Sequence, residues 1–396
     1  MLTEIKNKTA EIVDIVANED FNGRIGLLSG TAGSLFLLCY YSEYTSNETY
    51  LDIVAQRITD AFDIINDTQF SNLTYSSGLT GFLWTLKNLN THQYLDLDLS
   101  EVEDSAQPLL SDFMMQKLEE GEYDFLHGAL GVANYFLDTE NSSSIALLND
   151  FNKKFLATAI RNEKENTRSF FSTVNTGDAL TPVVNLSLSH GMASIVYYLQ
   201  RCLKNKHIAT EEIKEALNQV IAFYRKNQND IEVQASYFPS WINNQAPHVN
   251  ARLAWCYGDL GVGHVFSLAA DTLNDPELKA YSIQILKNTL TRLDPVKESI
   301  KDAGMCHGAA GLVKMYRTIQ FATGIASFNT AAEHWLKITL EQADHTNGYA
   351  GYKTYEEEKG WKNDCGLLEG VTGIGIVFLE ELMGKRLSWD KALLLS

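Results

Sequence analysis

At 396 residues the chain is long enough for two domains, and its 45 % hydrophobic content is ample for a large core. Its 50 acidic and 32 basic residues leave a formal charge of −18, which argues against a nucleic-acid partner, because phosphate binding needs concentrated Lys and Arg. Five cysteines, odd in number and without framework spacing, argue against a disulfide scaffold and suit a reducing cytosol.

Met1–Asp20 alternates charged and apolar residues and lacks the apolar core of a secretory signal. From residue 30 a motif, Gly-x-x-Gly opening an apolar run, recurs along the chain. Its copies begin at Gly30, Gly78, Gly128, Gly191, Gly258, Gly308 and Gly370, with Ser194 replacing the second glycine of the fourth. Intervals of 48, 50, 63, 67, 50 and 62 residues mark a repeat architecture in which each unit buries its neighbour's face. The runs that follow, such as Ser34–Cys39 and Ile374–Leu379, are apolar on every side, as a buried helix is. Between them lie amphipathic stretches: Leu51, Val54, Ile58, Phe62 and Ile65 keep helical spacing, as do Ile213, Leu217, Val220, Ile221 and Tyr224. One buried and one amphipathic helix per unit predicts an all-α fold, an α/α toroid of seven inner and seven outer helices, forming a single domain over residues 1–396. Ala179–Gln200 lacks formal charge but is too polar to span a membrane. Two stretches leave the helical pattern, 227–250 with Pro239 and Pro247, and 344–366 with Tyr352, Tyr355 and Trp361. Any strand is expected there, and both would serve as substrate loops or as passive connections.

If the inner helices run parallel, the residues before each first glycine share one mouth. Those slots hold Ser29, Ser77, His127, His190, Tyr257, His307 and Glu369, preceded by Leu28, Ser76, Leu126, Ser189, Cys256, Cys306 and Leu368. Cys256, Cys306 and His307 offer two thiols and an imidazole, a donor set for zinc, and three protein ligands leave the fourth tetrahedral position open, as in catalytic sites. Neighbours such as Cys306 and His307 diverge by about 100° inside a helix, so they converge on one ion only at an irregular turn. Taken singly, the cysteines would equally be small buried hydrophobes, the expectation for Cys39, Cys202 and Cys365.

With Trp255-Cys256-Tyr257-Gly258, Cys306-His307-Gly308, Ser189-His190-Gly191 and the seven glycine motifs, the chain resembles the lanthionine synthetase C-like family over nearly its full length. The resemblance implies an α/α toroid with one zinc ion (Zn2+) held by Cys256, Cys306, His307 and a water. It implies a cyclase that adds a peptide cysteine to dehydroalanine or dehydrobutyrine, closing a thioether ring. Position by position, His190 matches the histidine near the metal, Tyr257 the tyrosine after the first ligand, Arg252 the arginine four residues before it, and Asp124 the aspartate before a glycine. His127 matches no family role.

The implied reaction needs a thiolate and a proton for the enolate formed when it adds. His190 is the candidate acid, Asp124 would orient or charge it, and Arg252 and Tyr257 would stabilise the enolate oxygen. The expected partners are a dehydrated precursor peptide, a separate dehydratase and a transporter, with the chain cytoplasmic or peripheral to the membrane in their assembly. Two other readings stay open: addition of glutathione to dehydroamino acids in proteins, and a non-catalytic zinc-stabilised peptide scaffold with His190 or His264 as fourth ligand.

Overall fold

A computed structural model describes residues 1–67, 69–139, 141–175, 180–243 and 250–396. Among them are fourteen α-helices. In chain order these are α1 (Leu2–Asn18), α2 (Thr31–Thr45), α3 (Thr49–Ile65), α4 (Leu79–Thr91), α5 (Ser100–Glu119), α6 (Ala129–Thr139) and α7 (Ser142–Ala157). After them come α8 (Met192–Lys204), α9 (Glu211–Lys226), α10 (Asp259–Leu273), α11 (Pro276–Asn288), α12 (Ala309–Thr323), α13 (Ala326–Glu341) and α14 (Val371–Met383). The even-numbered helices each start at a glycine motif. They are the buried set: every residue from Leu35 to Tyr40 in α2, and from Val371 to Leu379 in α14, is buried. The odd-numbered helices bury one stripe. In α9 it is Ile213, Ala216, Leu217, Val220, Ile221 and Tyr224, each apolar side chain contributing about 1.5–3 kcal/mol. Cys39, Cys202 and Cys365 are buried, and burial pushes the thiols of the first two up to about 12.

The chain packs as two compact units, residues 1–106 with 293–396, and residues 107–292. In the first, the turns that open the inner helices are hydrogen-bonded in series. Met305 and Cys306 N–H reach Leu368 O (2.8 and 3.1 Å), Leu368 N–H reaches Leu28 O (3.0 Å), and Leu28 N–H reaches Ser76 O (2.8 Å). The spatial order is thus sixth, seventh, first and second repeat, so the last repeat adjoins the first. In the second unit the fourth and fifth repeats are joined the same way, by Leu188 N–H on Cys256 O at 3.0 Å.

The glycines are there for space. Helix starts leave N–H groups without helical partners. Here the N–H after the first glycine donates to the carbonyl six residues before that glycine, as in Leu79 to Asn72 (2.9 Å) and Ala309 to Asp302 (3.0 Å). A Cβ on Gly78 or Gly308 would run into that same backbone. At Gly258 φ is +97°, so conformation as well as space demands glycine directly after Cys256 and Tyr257. Ser194, in place of a second glycine, folds its hydroxyl back onto Gly191 O at 2.8 Å.

Strand is more widespread than expected. β5 (Trp241–Ile242) lies within 227–250, and β6 (Thr354–Glu356) and β7 (Gly360–Lys362) lie within 344–366. However, β1 (Ile160–Asn162), β2 (Thr167–Ser169), β3 (Ser172–Asn175) and β4 (Leu180–Asn185) fall outside both. The expectation that strand stays within those two loops is therefore corrected. These strands are three to six residues long, too short for an apolar alternation to announce them. β3, β4 and β5 form an antiparallel sheet in that order, with Asn185 opposite Trp241. Of the 227–250 stretch, residues 244–249, Pro247 among them, lie outside the described residues.

Candidate functional site

In the second unit a cleft of about 910 Å³ is lined by Asp124, His127, Asn185, His190, Trp241 and Tyr257 among others. Three turns and a sheet build it. Asp124 precedes α6 and its Oδ1 accepts the His127 N–H at 2.6 Å. His190 precedes α8, its backbone N–H resting on Ser187 Oγ at 3.0 Å. Its ring Nδ1 is hydrogen-bonded to Asp124 Oδ2. The His127 ring stacks on that of His190, centroids 5.9 Å apart and planes 21° apart. Ligand-type atoms of Asp124, His127 and His190 all lie within 4.8 Å of one another.

Electrostatics follow from these contacts. Burial alone would lower the His190 pKa, but the hydrogen bond and charge of Asp124 outweigh it, helped by the Cys256 sulfur, and the value is raised. His127 goes the other way, because burial dominates and disfavours its charged form. Burial raises the Tyr257 phenol, while its hydrogen bond with Asn185 opposes the shift.

The expected metal ligands fall in both units. In the second, Cys256 is 5 % exposed, on the turn before α10, with its carbonyl accepting from Leu188 and Ser189 N–H. In the first, Cys306 and His307 occupy the turn before α12, where Cys306 N–H is tied to Leu368 O. His307 Nδ1 lies 3.9 Å from Glu369 Oε2, beyond hydrogen-bond distance. By donor type, two thiols and an imidazole suit a zinc ion.

The expected residues divide accordingly. Asp124, His190 and Tyr257 line one cleft. Arg252 is exposed and stays outside the lining, although its carbonyl packs where a Cβ on Gly258 would stand. His264 is buried in α10, 2 % exposed. Asn185 and Trp241 are cleft residues that sequence reasoning missed. One signal pointed to Asn185: an Asn or Asp stands six residues before the first glycine in the second, fourth, sixth and seventh repeats.

Comparisons with known proteins bear on the whole chain. The family model described as lanthionine synthetase C-like protein matches residues 23–394. No curated protein matches the sequence. Among solved structures, nisin cyclase aligns over 99 % of this chain and 97 % of its own, with a TM-score of 0.77 at 19 % identity. A possible member of the GH105 family from Salmonella enterica subsp. enterica serovar Paratyphi A str. ATCC 9150 aligns over 86 % of this chain and 94 % of its own, at a TM-score of 0.39 and 12 % identity. The fold is the α/α toroid that the alternating buried and amphipathic helices require. With the family model matched from before the first glycine motif to beyond the last helix, the chain belongs to the lanthionine synthetase C-like family.

Proposed function

We propose that the chain is a zinc-dependent lanthipeptide cyclase, a single catalytic domain over residues 1–396. Its substrate is a precursor peptide already dehydrated by a separate enzyme, and the product is a (methyl)lanthionine ring. Family membership supports the reaction class, and the observation that carries the mechanism is the Asp124–His190 hydrogen bond in the cleft that Tyr257 also lines. Cys256, Cys306 and His307 are the proposed ligands. When bound, zinc would ionise the substrate thiol and hold its sulfur, a free thiol with pKa about 8.5 being only slightly ionised at neutral pH.

The protein's own residues meet the other demands. As the cysteine sulfur bonds to the β-carbon, the alkene π electrons move toward the neighbouring carbonyl, giving an enolate. Tyr257 donates a hydrogen bond to that oxygen, whereas Arg252, exposed and outside the cleft lining, is given no part. Asp124 favours the imidazolium, so His190 carries a proton to place on the α-carbon. The proton lost from the thiol replaces it through solvent. Holding thiolate and alkene together contributes most, since effective molarities in oriented systems reach about 10⁵ M.

No helix among the described residues is long and apolar enough to cross a membrane. We assign the chain to the cytoplasm, working with a dehydratase and transporter at the membrane surface. The test incubates the zinc-loaded protein with a dehydrated peptide, with and without glutathione, and counts alkylatable thiols by mass. Loss of peptide thiols without added mass is the expected result. A glutathione adduct as the main product would favour the glutathione-transfer reading, and unchanged peptide the scaffold. Cys306→Ala should lose both metal and activity; full zinc content in that variant would sink the ligand set.

A further inference from the structure

Tyr257 is held from behind by a side chain to which the mechanism above gives no part. Asn185 ends β4 and is 2 % exposed. Its Oδ1 accepts the Ser187 backbone N–H at 2.9 Å, and since a backbone N–H can only donate, this contact fixes which end of the amide is oxygen. The other end, Nδ2, therefore donates to Tyr257 Oη at 3.1 Å. The Ser187 side chain also hydrogen-bonds this oxygen; with both partners donating to it, the phenol keeps its own proton for another direction, and Tyr257 lines the cleft together with His190.

The repeats separate two jobs of this slot. Asn72, Asp302 and Asp364 stand at the equivalent position and accept the N–H two residues on, at 3.2, 3.0 and 2.7 Å. Two of these are aspartates, so the turn needs an acceptor oxygen and not an amide nitrogen. In the fourth repeat the nitrogen reaches the fifth repeat's Tyr257, directly after the proposed ligand Cys256. The pairing of β4 with β5, Asn185 opposite Trp241, fixes the backbone from which it reaches.

We propose that Asn185 is a positioning residue for cyclisation, which turns the Tyr257 hydroxyl into a donor aimed at the enolate oxygen. Asn185 itself exchanges no proton and touches no substrate atom. The proposal rests on the role given to Tyr257 above. A buried amide that prepays the orientation of a catalytic hydroxyl acts on the transition state rather than on peptide binding, so its loss falls on kcat and leaves KM.

The test is a double-mutant cycle on ring closure with Tyr257→Phe, Asn185→Ser and the double variant. Serine can still accept the Ser187 N–H but is too short to reach Tyr257. Tyr257→Phe should lower kcat by roughly 10²-fold, the worth of one oxyanion donor. Asn185→Ser should lower kcat by roughly tenfold with KM unchanged, and should cost nothing further in the Tyr257→Phe background, since groups acting through one another are not additive. The same tenfold loss in both backgrounds would overturn the proposal, as would an unchanged kcat in Asn185→Ser. Full activity in Tyr257→Phe would instead remove the role of Tyr257, and the positioning role with it. Helical circular dichroism and zinc content monitor folding. If the serine variant loses either, Asn185→Asp, the residue found at this slot in the sixth and seventh repeats, takes its place with the same expectations.

Discussion

His190 points Nδ1 at Asp124, so Nε2 is the nitrogen left to exchange a proton with a substrate. The pair is one unit: the carboxylate fixes the tautomer and favours the charged ring, while the parallel His127 ring restrains its plane. His190 is not needed to complete a three-ligand open metal site, yet the enolate must be protonated. His190→Ala should therefore keep zinc and peptide affinity while slowing cyclisation by about 10²–10⁴-fold, measured against uncatalysed closure of the same peptide. Loss of zinc in this variant would make His190 a fourth ligand and support the scaffold reading. An unchanged rate with zinc retained would pass the proton to Tyr257 or a bound water. The charged form of His127 is less favoured than that of His190, since its pKa is lowered where that of His190 is raised.

At the scale of one helix, the glycine motif does the same work in every repeat. The Leu79 N–H has to reach Asn72 O, and a side chain on Gly78 would collide with that carbonyl and with Asn72 Oδ1. φ at Gly78 is −119°, which any residue adopts, so the demand is steric alone. Gly78→Ala should cost about 1–3 kcal/mol, as overpacking does, seen as a lower urea midpoint with an unchanged slope. A midpoint equal to wild type would mean that the turn relaxes freely. This economy is why the helices were legible: the motif fixes both the start of each buried helix and the phase of the slot before it, so His190, Tyr257, Cys256 and His307 could be placed by counting. Counting also places Asn185 six residues before Gly191, but neither its meeting with Tyr257 nor the position of Trp241 follows from it. Asn185 and Trp241 meet through strand register between distant segments, and a strand as short as Leu180–Asn185, interrupted by Pro182, carries no alternation to read. Arg252 sits at the expected position in the chain, but exposure of its side chain depends on packing that spacing does not encode.

On the scale of the molecule, the segment that follows the last inner helix is fastened across the first unit. In the first unit a 3-10 helix, Ser388–Leu393, runs across four inner helices. Ser388 Oγ bonds Asn88 Oδ1 (2.7 Å) and meets Tyr40 Oη (3.2 Å), Trp389 Nε1 donates to Glu380 (3.2 Å), and Asp390 pairs with Lys314 (2.9 Å) and Arg386 (2.6 Å). Lys314 Nζ also bonds both Glu380 oxygens, at 2.7 and 2.8 Å, so one ammonium, 1 % exposed, serves two buried carboxylates. Burial tends to raise both acids. For Asp390 the charges of Lys314 and Arg386 outweigh burial and its pKa is lowered, whereas for Glu380 burial prevails and its pKa is raised. The signs oppose. The Asp390 contribution is present above its unfolded value near 3.9 and is lost as pH falls through the lower folded value. The Glu380 contribution is full below its unfolded value near 4.3 and is lost as pH rises through the raised folded value. At neutral pH the ionised pair is tolerable because Lys314 lies between them and Arg386 adds a second cation at Asp390. Lys314→Met, which keeps the stem, leaves buried Glu380 without a cation and Asp390 with Arg386 alone, and should cost about 3–5 kcal/mol at pH 7. That cost should shrink as pH falls toward about 5, because without the ammonium both acids take up protons more readily. Urea unfolding of both proteins across this range checks it, and a penalty independent of pH would mean that Lys314 holds the strap through packing of its stem.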